Sequence, residues 1–69
     1  MIPIEVIIVR NGKDKYAAFT EYSFERFNPV GAGSTPEEAK KSFLEVFNEL
    51  SKETGEIVEI DPIWIYDSN

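Results

Sequence analysis

The sequence predicts a small α+β domain, a two-layer β-β-β-α-β arrangement in which an antiparallel sheet is backed by one helix. Three observations predict it. Residues 2–10 form a β-branched, nearly continuous apolar run. Asn11-Gly12 follows at once, and Asn-Gly is the strongest short hairpin signal. Thr35-Pro36-Glu37-Glu38 then opens a long segment of helical periodicity: an N-cap hydroxyl, a proline suited to the first helical position, and a capping-box carboxylate.

In chain order, residues 2–10 make the first strand; its apolar character, broken only at Glu5, predicts a central strand buried on much of both faces. Asn11-Gly12-Lys13-Asp14 turns the chain. Residues 15–21 make the second strand, with Tyr16, Ala18 and Thr20 on one face and Ala17 and Phe19 on the other. Residues 22–28 mix aromatics with charges and read as an irregular segment leading to a third strand near 27–32. The helix spans about 36–53, its core face carrying Ala39, Phe43, Val46, Phe47 and Leu50, with Leu44 off that face and Gly55 as the C′ residue. A fourth strand covers about 57–66, and Pro62 within it predicts either an edge strand or a strand with a bulge. The whole chain, 1–69, is one domain without repeats or linkers.

Composition narrows the function classes. The chain has no cysteine and no histidine, which removes thiolate chemistry, the commonest metal ligands and the commonest general base. No apolar run spans a bilayer, and Met1 leads almost directly into a strand carrying Glu5, so the expected location is the cytoplasm, away from membranes. The net charge is −6 and lies entirely in the second half: up to residue 35 four acids balance four bases, and beyond it nine acids face Lys40, Lys41 and Lys52. That distribution disfavours a nucleic-acid backbone and suits a basic protein. So small a domain also gains from self-association, and a homo-oligomer is expected.

Tyr16-Ala17-Ala18-Phe19 in the second strand and Gly33-Ser34-Thr35-Pro36-Glu37-Glu38-Ala39 at the helix start give the chain a resemblance to the HicB-like antitoxin domain, over about residues 2–54. The resemblance implies a partial ribonuclease H-like fold and a type II antitoxin that neutralises a small basic ribonuclease toxin. The sequence departs from the family in two places. Thr20 to Phe27 lacks the family's Gly-Cys type of turn, and no helix-turn-helix or ribbon-helix-helix segment is read after the last strand, so the resemblance does not by itself imply operator binding.

Candidate sites follow from the residues themselves. Glu45, Glu49 and Glu53 repeat at i, i+4 beside the helix's apolar face, Glu38 joining the same stripe; like charges so spaced cost a few tenths of a kcal/mol per pair, a cost that a basic partner offsets. A solvated helix face is the simpler alternative. Tyr22, Phe24 and Arg26 are candidate interface anchors, and Trp64 and Tyr66 on the last strand are candidates for self-association across a sheet edge; each also serves a small core that needs large side chains. Gly31 and Gly33 before a helix have the outline of a phosphate cradle, yet Glu37 and Glu38 repel an anion there and no lysine follows. Glu5, Asp14 and Glu21 lack metal-binding spacing, so no cofactor, metal or enzymatic activity is expected. A second reading is a stand-alone homo-oligomeric domain of the same fold with a structural or regulatory role and no toxin partner.

Overall fold

The computed structural model describes residues 1–22, 28–55 and 59–67. Its elements are β1 (Ile2–Arg10), β2 (Tyr16–Phe19), β3 (Val30–Gly33), α1 (Pro36–Thr54) and β4 (Ile60–Tyr66). The predicted class and element order hold. Three of the predicted stretches, 22–28, 27–32 and 57–66, lie partly outside the described residues.

The sheet order is β3-β2-β1-β4. Both β1–β2 and β2–β3 are antiparallel, but β4 runs parallel to β1, so the sheet is mixed where an antiparallel one was expected. The reason is topological. Two antiparallel steps bring β3 back to the direction of β1; α1 then returns the chain along the sheet, and β4 leaves it in that same direction. A helix was needed for this crossover, and the capped segment at Thr35 supplies it.

The turn after β1 uses Asn-Gly differently from a two-residue hairpin. Arg10 pairs with Tyr16, Asn11 N–H donates to the Lys15 carbonyl, and the left-handed backbone positions fall at Gly12 and Asp14. Asp tolerates that conformation better than most residues, which explains its place at the tip.

Small residues decide where the helix lies. α1 runs along β3 and β2, where the sheet presents Gly31, Gly33 and Ala18. A Cβ on Gly31 would come 2.2 Å from the Phe43 amide nitrogen, and one on Gly33 would come 2.4 Å from the Glu38 Cβ. Helix backbone therefore sits directly on strand backbone, and only glycine fits. Away from β3 the layers diverge and larger side chains fill the wedge: Ile4, Val6 and Ile8 from β1, Phe43 and Phe47 from α1, and Trp64 from β4, whose ring meets Phe43 edge-on at 6.2 Å. Each buried phenylalanine contributes about 2–3 kcal/mol by removal from water.

Of the predicted helix face, Ala39, Phe43 and Phe47 are buried and Val46 and Leu50 half-buried. Leu44, expected off that face, is half-buried against the same cluster, and Ser51 is buried as well. A helix seated between sheet and edge strand buries a wider arc than the narrow stripe a helical wheel assigns. β1 is central, as expected, but fully buried only on the side facing α1; the expectation of burial on both faces fails because, among the described residues, no second layer covers the other side.

The caps are as the sequence requires. Glu38 N–H donates to Thr35 Oγ1 at 3.2 Å, and Ser34 N–H donates back to Glu38 Oε1 at 3.3 Å. Gly55, at φ 76°, ends the helix with its N–H on the Lys52 carbonyl. Pro62 sits harmlessly on the edge strand. Ile2 N–H bonds to the Glu59 carbonyl and Asp67 N–H to the Ile8 carbonyl, so odd-numbered residues of β4 carry the ladder and Pro62 nitrogen faces outward.

Candidate functional site

Two surfaces stand out, one on each layer. The first is the outer side of α1. Glu45, Glu49 and Glu53 are all exposed and fall one turn apart, a ridge about 12 Å long. Glu38, read as part of the same stripe, is instead committed to the helix cap through Ser34. Lys40 is drawn away from the ridge: its Nζ lies 4.9 Å from the Tyr66 ring centre and 5.4 Å from that of Trp64, a cation–π contact that ties α1 to β4. Lys41, exposed one turn before Glu45 in the same row, and Lys52, exposed three residues after Glu49, stand beside the acids.

The second surface is the sheet face turned away from α1. Strand register aligns four apolar residues in one row across all four strands: Val30 beside Phe19, Phe19 beside Ile7, Ile7 beside Ile65. Val30 is 51% exposed, Ile65 39% and Phe19 36%, large values for such side chains in a sheet. Ile63, 48% exposed, extends the row on β4 beside Glu5, and Val9, Ala17 and Ala32 form a second row. Among the described residues, charge on this face lies at its ends: Glu5 and Asp61 at one, with Glu21 close by, and at the other Asp67, which continues the β4 ladder beside Val9.

The other predicted site residues are dispersed. Tyr22 is half-buried with its ring 5.8 Å from Phe47, so it closes the end of the core. Phe24 and Arg26 lie outside the described residues. Trp64 is turned inward against Phe43, while Tyr66, next along the same side of β4, is 54% exposed. Of the three acids weighed for a nuclease, Glu5 and Glu21 line one hollow of about 330 Å³ with Ile4, Ile7, Thr20 and Tyr22. Asp14 sits at the hairpin beyond the opposite end of β1. Thr20 Oγ1 is engaged by the Glu5 carbonyl at 2.7 Å. Among the described residues no group of three or more acids is placed to hold a metal ion, and no helix is long and apolar enough to cross a membrane. The glycines before α1 serve helix packing: both lie in β3 beneath the helix backbone, and Glu38 fills the space at its N-terminus.

Comparison with protein-family models, with curated proteins and with solved structures finds no match to this chain. The sites therefore rest on their own geometry. Sequence reasoning missed the open sheet row. Its signal was present in the alternation of Ile63 and Ile65 with Trp64 and Tyr66, but alternation alone does not say which set the helix covers.

Proposed function

We propose that this chain is a non-enzymatic, cytoplasmic protein-binding domain, similar to a type II antitoxin of the HicB-like kind, that takes a small basic ribonuclease as its partner. The observation that carries this reading is the exposed ridge of Glu45, Glu49 and Glu53, like charges held in one line although separation would relieve them. Such a ridge steers a cationic protein into encounter and makes association fall with salt.

The test is capture of a partner by the intact tagged chain from its native lysate, followed by binding of the purified pair at a series of salt concentrations. A stoichiometric small basic protein whose ribonuclease activity is suppressed supports the reading. Changing Glu45, Glu49 and Glu53 together to Gln then slows association about tenfold at low salt. A partner that binds the triple variant equally well, with the same salt dependence, defeats the role of the ridge.

The alternative, a stand-alone homo-oligomeric domain without a toxin, draws on a different observation, the uncovered apolar face of the sheet.

A further inference from the structure

We infer that the open sheet face is a dimerisation surface, and that two copies of this chain pack it against itself to give a four-layer α-β-β-α assembly. The inference goes beyond the partner reading, since it uses the layer opposite the acidic ridge and holds with or without a toxin.

The occupant follows from charge, area and shape. The chain carries a net charge of −6, so two copies repel wherever their acidic surfaces meet. The row Val30, Phe19, Ile7 and Ile65 is uncharged, and Val9, Ala17 and Ala32 lie beside it, so along this row two copies approach without opposing like charges. A basic partner, by contrast, finds no anionic complement in this row. Four strands about 4.8 Å apart, over roughly five residues of about 3.3 Å each, give a footprint on the order of 300 Å². Side-chain corrugation raises this to roughly 500 Å² of accessible surface per copy, about 1,000 Å² in all, the lower bound of a specific interface. A contiguous apolar patch of roughly this size matches the largest patch on an ordinary monomer, and such patches are often functional.

The charges at the ends of the face bear on the orientation. Glu5 and Asp61 occupy one end, and Asp67, continuing the β4 ladder, the other. If the strands of the two copies ran in the same direction, these acids would meet their own counterparts. A two-fold axis lying between the sheets, along the apolar row, reverses the strands and sets Glu5 of each copy opposite Val9 of the other and Asp67 opposite Ile63. The row then lies on the axis, and each of its residues faces its own counterpart across sheets about 10 Å apart.

Sedimentation equilibrium of the intact chain from about 1 µM to about 500 µM tests this, with a dissociation constant in the micromolar range expected from so small an interface. Ile65→Lys should weaken dimerisation at least tenfold, and Glu49→Lys should not weaken it. Because the chain has no cysteine, Ile65→Cys gives a second readout that leaves the face apolar: a short bismaleimide should join two Ile65→Cys chains and fail to join two Glu49→Cys chains. High salt should leave the dimer intact, unlike a complex with a basic partner. A chain that stays monomeric over the whole range overturns the inference. So does a dimer indifferent to Ile65→Lys, or one cross-linked through position 49 in preference to 65.

Discussion

The two faces of this sheet are made from the same strands, yet they differ in every physical respect. Under α1 the residues are small where backbones touch and large where the layers part, and Val6, Ala18, Ala39 and Phe43 are wholly buried. On the other side, Val30, Phe19, Ile63 and Ile65 stand partly in water although they are as apolar as the core. The difference shows that hydrophobicity does not by itself make a core; a covering layer does. The covered face should govern the stability of the single chain and the open face its association, and the expected effects fall in that order.

The largest effect belongs to Phe43→Ala, which removes the ring touching both Phe47 and Trp64 and should cost about 3–5 kcal/mol in denaturant unfolding. Gly31→Ala comes next. With the Phe43 nitrogen 2.2 Å from the new Cβ, the helix must lift from β3, and a loss of about 3 kcal/mol is expected by the same measurement. A Gly31→Ala variant of wild-type stability would show that the helix does not press on β3 as described. Thr35→Ala removes the cap acceptor for Glu38 N–H and should cost about 1 kcal/mol. Lys40→Gln loses the contact with Trp64 and Tyr66, a change of about 0.5–1 kcal/mol seen in the melting temperature. On the open face, Ile63→Thr should change the stability of the dilute, monomeric chain by less than about 0.5 kcal/mol. A large loss there would mean that this face is already covered within one chain, and the contrast between the faces would disappear.

The helix was legible because its signals are local. Thr35, Pro36 and Glu38 at one end and Gly55 at the other act within a turn of themselves, and the structure places each in the predicted role. The edge position of β4 was legible for the same reason, since a proline lacks the donor that an inner strand requires. The candidate site was less so. Glu45, Glu49 and Glu53 are exposed as their helical spacing requires, but Glu38 left the stripe for the cap, Tyr22 packs on Phe47, and Trp64 points into the wedge. Each of those three side chains had two outlets, and the choice lay with neighbours distant in sequence.

By itself, then, the sequence determined the element order, the helix boundaries and the surplus of negative charge, because periodicity, capping and composition depend on near neighbours alone. Only the tertiary structure decided that β4 pairs parallel with β1 and that Gly31 and Gly33 serve as the seat of a helix. It also decided which side of the sheet stays open. These depend on where one helix comes to rest on four strands, a contact between residues far apart in the chain that no local pattern encodes.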